Sequence, residues 1–301
     1  MNLFPLSFLI LGYKSTLCHC PVFGEYYTDS FHYHFGTPLE RLRIACKQGK
    51  TKEVIRLIHS GLNVDTSFNS VGCPLQEAAL YGQYETVTTL IALGADVNKK
   101  DKYKNHLFKN AIYGGNLKVV DILLTLSKDS IDFNSAFRTA VSSSHKDIAA
   151  YFLNKGVDIN WVDDAGYTVL IWMSDSYDLD MIKFLVEHGA DLKIRNKDGD
   201  TPMLHAARHG YPEGLKYFLD KGSPIEDKNY QGQTALLLCS DGTSVPLSES
   251  TIIEKYQLLL SRGADINARD KDSQNIFDGL ENHPKLVEFL QKYKSSNDKK
   301  K

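Results

Sequence analysis

No long apolar run occurs in this 301-residue chain. The opening stretch from Leu3 to Leu11 is apolar, but it is short and interrupted by Pro5. That is far below the roughly 20 residues a membrane-spanning helix needs. A secretory leader would carry Lys or Arg before its apolar run and small residues at a cleavage site. The first is missing, and Ser15-Thr16-Leu17-Cys18 is a poor form of the second. A cytoplasmic location is therefore expected, with export through a weak N-terminal signal as the alternative. Cysteine is scarce: five scattered residues cannot make a disulfide scaffold. Cys46, Cys73 and Cys239 fall at small-residue helix positions and read as buried thiols. Charge of one sign is lacking too. A net charge of −2 gives no field to recruit nucleic acid or acidic membranes. No glycine loop follows a strand to cradle phosphate, since Gly114-Gly115 reads as a turn between helices. No Ser or Cys sits in a nucleophile elbow, and the carboxylates are dispersed. No catalytic residue, metal ligand or cofactor site is expected.

What the chain does have is a repeated grammar, clearest from Gly189 to Gly210. Gly189 follows an apolar helical stripe (Ile182, Leu185, Val186) and suits a left-handed cap. Asp198-Gly199 marks a tight turn. Thr201-Pro202 opens a new helix, with Thr as N-cap and Pro at the first helical position. Ala206 and Ala207 are small enough for a second helix to lie close, and Gly210 ends the helix. Positions equivalent to Thr201 fall at Glu40, Cys73, His106, Ser135, Thr168 and Thr234. They recur every 33 residues, except for a step of 29 between His106 and Ser135, and a looser copy starts near Asn275. A fixed period of this length predicts a helical solenoid whose units bury their apolar faces only against neighbours. The stripes in the second helix of each unit (Val54, Leu57, Ile58; Val87, Leu90, Ile91; Val120, Leu123, Leu124) read as core.

The period and motif resemble the ankyrin repeat. The residues that carry the resemblance are Gly94-Ala95-Asp96-Val97-Asn98, Gly156-Val157-Asp158-Ile159-Asn160, Gly263-Ala264-Asp265-Ile266-Asn267, Thr201-Pro202, and the pairs Ala78-Ala79 and Ala206-Ala207. The resemblance implies an all-α ankyrin-repeat solenoid of about eight helix-turn-helix units with hairpin fingers. It also implies a non-catalytic scaffold or adaptor that binds a partner protein in a concave groove of finger tips and first helices. Carried onto this chain, the groove positions are Lys47, Gln48, Leu80, Tyr81, Tyr103, Tyr113, Asp164, Tyr167, Lys197, Asp198, Asp200, Arg208, His209 and Tyr230. Five of these are tyrosines, a residue type that anchors interfaces. Lys197 and Arg208 beside Asp198 and Asp200 would set register. The expected partner is a protein, with no nucleic acid, small-molecule substrate or transmembrane segment, and the chain is expected to be a monomer.

The family's Thr-Pro-Leu-His tetrad is degenerate. Its His position holds Arg43, Gln76, Lys109, Arg138, Ile171, Leu204 and Leu237. In unit three Ser127 replaces the capping glycine and Asn134 runs directly into Ser135, so the finger between units three and four is expected to be missing. Ser142-Ser143-Ser144 replaces the usual turn with glycine and reads as a defect or hinge. In unit five Met173-Ser174 replaces the Ala pair, and Trp172 is expected to fill core. Unit seven carries an insertion, read as a polar loop over Asp241–Ser250.

The expected organisation is a non-repeat segment over 1–36, the array over 37–294 and a charged disordered tail over 295–301. Cys18-His19-Cys20 and His32-Tyr33-His34 offer thiols and imidazoles, but at spacings unlike common structural zinc sites. An aromatic cluster there (Tyr26, Tyr27, Phe31, Tyr33, Phe35) suits packing on the first unit. Two alternatives stay open: an exported or envelope-associated ankyrin effector, and an enzyme or metal protein using that N-terminal cluster. His205 and His209 lie one turn apart, but Ala206 stands where a zinc-hydrolase helix needs its Glu.

Overall fold

A computed structural model describes residues 36–68, 72–99, 107–127, 131–240, 248–278, 280 and 283–298. The N-terminal cluster, Tyr103, and residues 241–247 of the insertion lie outside the described residues.

Helices follow one another in antiparallel pairs. Unit one is α1 (Pro38–Lys47) and α2 (Thr51–His59); unit two is α3 (Pro74–Leu80) and α4 (Tyr84–Ala92). Unit three is α5 (Leu107–Tyr113) and α6 (Leu117–Leu126); unit four is α7 (Phe133–Ser142) and α8 (Lys146–Asn154). Unit five is α9 (Val169–Met173) and α10 (Leu179–Glu187); unit six is α11 (Pro202–His209) and α12 (Pro212–Asp220). Unit seven is α13 (Ala235–Leu238) and α14 (Glu249–Ser261), and α15 (Pro284–Asp298) closes the array. Among the described residues there is no strand beyond one antiparallel bridge between Lys228 and Thr234. The fold is an all-α solenoid.

Inner helices (the first of each unit) pack on inner helices, and outer on outer. Ala45, Ala78, Ala111, Ala140 and Ala206 recur at one position of the inner helix, all buried. A methyl at that point lets consecutive helices approach closely. At the turn the fit is tighter still. A Cβ added at Gly114 would lie 2.1 Å from the Ala79 carbonyl oxygen, and one at Gly210 2.5 Å from that of Ser174. Outer helices supply the bulk: Val54, Leu57, Val87, Leu90, Val120, Leu123, Phe152 and Phe218 are all buried.

The structure departs from the sequence expectation in five places. First, the N-caps of α1 and α7 fall three residues ahead of the marker positions Glu40 and Ser135. Thr37 caps α1 in a reciprocal box with Glu40. Asp132 caps α7 by accepting from the Asn134 and Ser135 amides. Second, the serine run is no defect. Ser144 takes φ +60°, matching Gly49 (+67°), Gly82 (+64°) and Gly115 (+69°), and its hydroxyl bonds to Asp178. Third, Glu249 and Ser250 belong to α14, whose start is capped by Ser248, so part of the insertion extends a helix. Lys255 of that helix is fully buried and donates to the Ala207 carbonyl oxygen at 2.6 Å, tying unit seven to unit six. Fourth, the eighth unit has a turn at Asn275–Asp278 in place of its first helix, closed by the Asn275 amide on the Asp278 carboxylate. Fifth, α15 continues to Asp298, four residues into the expected tail.

Replacing Gly114 with alanine is expected to destabilise the fold by about 1–3 kcal/mol, because the methyl collides with backbone. Urea unfolding followed by circular dichroism measures this; an unchanged midpoint would contradict the close approach.

Candidate protein-binding surface

The fingers owe their shape to one side chain each. Asn196 Oδ1 accepts from the Asp198 and Asp200 amides, and Asn229 Oδ1 from the Gln231 and Gln233 amides. Asp163 and Asp270 do the same for Ala165 and Tyr167, and for Asp272 and Gln274. A short acceptor that bonds the backbone two and four residues ahead folds the tip into a compact turn. Consecutive tips are then joined backbone to backbone: Lys197 N to Ala165 O, Tyr230 N to Asp198 O, Lys271 N to Gln231 O. Glycine is required between them. Gly199 has φ +83°, and a Cβ there would lie 2.6 Å from the Tyr230 ring.

The expected groove residues separate into two groups. Asp164, Lys197, Asp198 and Tyr230 are exposed on the finger tips. Gln48, Tyr81 and Tyr113 are exposed at the opposite, C-terminal ends of α1, α3 and α5, with Lys47 and Leu80 half-buried beside them. The Lys47 ammonium lies 5.1 Å from the Tyr81 ring centroid, and Lys109 lies 5.7 Å from that of Tyr113. An inner helix of seven or eight residues holds the two edges about 10 Å apart along its axis. The two groups come from different units: the helix ends from units one to three, and the tips from the fingers before units five, six and seven.

Asp200 and Arg208 do not set register at a surface. Asp200 is 1% exposed; it pairs with Arg208 at 3.5 Å and accepts from Asn229 Nδ2 at 3.0 Å. Arg208 also reaches Gln233 Oε1. The set is an internal clamp between units six and seven. Tyr167 and His209 are half-buried against His205: the Tyr167 ring meets it edge-on at 5.4 Å, and the His209 ring lies at 4.8 Å.

Several features escaped sequence reasoning. Trp172 is 42% exposed rather than core filling, and Trp161 and Val162 are exposed to the same degree. The equivalents of Trp172 in units two, six and seven, Glu77, His205 and Leu238, are buried. A signal was present: the position of Val162 holds Lys100, Arg195, Lys228 and Arg269 elsewhere, so an apolar residue there is exceptional. The expected loss of a finger is visible as well. Fourteen residues (155–168, 188–201, 221–234) join unit to unit elsewhere, but only six (127–132) join α6 to α7. A cleft of about 230 Å³ opens there, lined by Leu107, Phe108, Ile112, Ile131 and Ala136.

Electrostatics separate structural groups from reactive ones. Burial raises the Cys46, Cys73 and Cys239 thiols, the last to about 11, and suppresses the reactive thiolate. Burial raises Glu77 despite Arg43 at 3.2 Å, and lowers Lys255. His205 is pushed down to about 3, first by burial and then by His209 and Arg208; its Nδ1 meets Ser174 Oγ at 2.9 Å. Among the described residues no group of three or more His, Cys, Asp or Glu is placed to hold a metal ion. None of the described helices is long and apolar enough to cross a membrane.

Stacked helix-turn-helix units with short fingers define a repeat solenoid. Comparison with known proteins narrows the class. A family model for ankyrin repeats in three copies matches residues 107–196 and 170–270, and one for ankyrin repeats in many copies matches 75–124. The chain belongs to the ankyrin-repeat family. It is 27% identical over 229 residues to the ankyrin repeat protein FPV115 of fowlpox virus, covering 65% of this chain and 40% of that protein. It is 26% identical over 216 residues to palmitoyltransferase AKR1 of Lachancea kluyveri, covering 67% of this chain and 29% of that protein. The crystal structure of the human ASB11 ankyrin repeat domain aligns with a TM-score of 0.57 and 27% identity, covering 74% of this chain and 98% of that one. The chain thus spans well under half the length of those two curated relatives.

His205 yields a pH prediction. Its folded value of about 3 lies below the ordinary 6.5, so the unfolded chain binds the extra proton between those values. Stability attributable to this group is therefore full above pH 6.5 and falls as pH drops towards 3, with a slope approaching about 1.4 kcal/mol per pH unit. Urea midpoints measured across that window should fall more steeply for the native chain than for His205→Gln; equal slopes would contradict a neutral buried imidazole.

Proposed function

We propose that this chain is a non-catalytic, monomeric interaction module that binds a partner protein on the inner-helix and finger-tip face of the array. The observation that carries the reading is the exposure of three tyrosine rings, two at inner-helix ends and one on a finger tip. Tyr81, Tyr113 and Tyr230 are 42%, 36% and 57% exposed on helix ends and a finger tip that are otherwise rigidly held. Tyrosine supplies large contact area with few rotors to immobilise, and a preformed surface avoids ordering costs. Tyr103, Lys197, Asp198 and Asp164 are proposed to flank it. The non-catalytic reading is supported by buried, proton-holding thiols and by Asp163, Asn196, Asn229 and Asp270 being committed to finger turns. A cytoplasmic site of action, with no nucleic acid and no small-molecule substrate, belongs to the same proposal.

Affinity capture from the native cell, comparing the intact chain with a Tyr81→Ala/Tyr113→Ala double variant, tests it. Both side chains are partly exposed, so helicity should be retained in circular dichroism. A protein recovered with the intact chain and lost with the variant is expected. Recovery of the same proteins with both would overturn the reading.

A further inference from the structure

We infer that the side of the unit-five finger that faces back towards unit four is a docking site for a basic, Arg- or Lys-bearing peptide segment of a partner. This deepens the proposal above and rests on its protein-binding reading.

The site exists because a finger is missing. In units six and seven each tip is bonded to the tip before it, through Lys197 N to Ala165 O and Tyr230 N to Asp198 O. Only six residues separate the end of α6 at Leu126 from the start of α7 at Phe133, against fourteen in the links before units five, six and seven, which is too short a link to build a tip ahead of the unit-five finger. What each position faces follows from its equivalents. Asp227, at the position of Trp161, pairs backward with Arg195 at 2.6 Å. Glu77 and His205, at the position of Trp172, turn backward to Arg43 and Ser174. Trp161 and Trp172 therefore both look back across α7. They line one shallow depression together with Phe137 and Tyr167. Both tryptophans of the chain are in it, each more than 40% exposed.

Its charge selects the occupant. Asp158 and Asp163 also line the depression, and Asp164 stands exposed beside them. The one cation lining it, Arg138, sits 3.5 Å from Asp163 Oδ2. Lys155 is turned onto the Tyr151 ring. The balance is acidic around two indole faces, the best π surfaces for a cation. A guanidinium or ammonium on the indoles, with Asp158 and Asp164 at the rim, satisfies both features. An acidic peptide would meet repulsion, and an anionic membrane would meet the wrong charge.

Because the chain has no other tryptophan, tryptophan emission, excited selectively over the sixteen tyrosines, reads this site alone. The probe is an acetylated, amidated Arg-Leu octapeptide, with a Glu-Leu octapeptide and anionic lipid vesicles as comparisons. Saturable change in emission with the Arg-Leu peptide, and none with the other two, is expected. Asp158→Asn/Asp164→Asn keeps both indoles and the turn at Asn160, and should weaken binding about five-fold. No saturable change with the Arg-Leu peptide, equal binding of the Glu-Leu peptide, preferential vesicle binding, or unchanged affinity in the Asn variant would each overturn the inference. In the capture experiment, a partner lost with Tyr81→Ala/Tyr113→Ala yet retained with Trp161→Ala/Trp172→Ala would leave the general binding reading standing and remove this one. Loss with the Trp variant, its circular dichroism unchanged, supports the site.

Discussion

Consecutive inner helices must lie close enough that little more than a methyl group fits between them. The buried alanine column at Ala45, Ala78, Ala111, Ala140 and Ala206 meets that constraint, and the backbone contact at Gly114 and Gly210 is its limit. No unit has a core of its own; the apolar side chains of each outer helix are covered only because its inner helix sits tightly on the next. The close approach also brings finger tips within hydrogen-bonding distance of one another, which is why Lys197, Tyr230 and Lys271 can each reach back to the preceding tip. In unit five Met173 takes the alanine position and is buried, while the neighbouring Trp172 is exposed.

Two kinds of polar side chain work within this frame. One kind is consumed by it. Asp163, Asn196, Asn229 and Asp270 each close a turn, Asp200 and Arg208 clamp adjacent units, and Lys255 spans from outer to inner helix across a unit boundary. The other kind is left over at tips and helix ends, where Asp164, Lys197, Asp198 and the exposed tyrosines stand. A binding surface can be assembled only from the second set. The missing finger adds to that set by uncovering a side that every later unit keeps closed.

The fold was largely legible in the sequence. A 33-residue period, the glycine caps and Thr201-Pro202 are local signals, and local signals survive into structure when each unit repeats its neighbour's environment. The shortened link before unit four was legible for the same reason, as a break in an otherwise constant step. Boundaries were less so: α1 and α7 started early because Thr37 and Asp132 offered better caps than the residues at the expected phase. The serine run looked like a defect, yet Ser144 adopts the left-handed conformation of the glycines it replaces, because hydrogen bonds on both sides hold the turn. Candidate site residues were harder. Whether Asp200 faces solvent depends on Arg208 and Asn229 from other segments, and no spacing shows that. Trp172 was bulky for its position, and the structure resolved that conflict by exposure rather than by packing.

The account depends most on the claim that losing one finger leaves the indole side of the next uncovered. Acrylamide quenching of tryptophan emission in the native chain tests this directly, since Trp161 and Trp172 are the only emitters of that kind. Red-shifted emission that acrylamide quenches readily, in a chain whose circular dichroism is fully helical, is the predicted result. Blue-shifted emission resistant to quenching would show the rings buried and contradict the account.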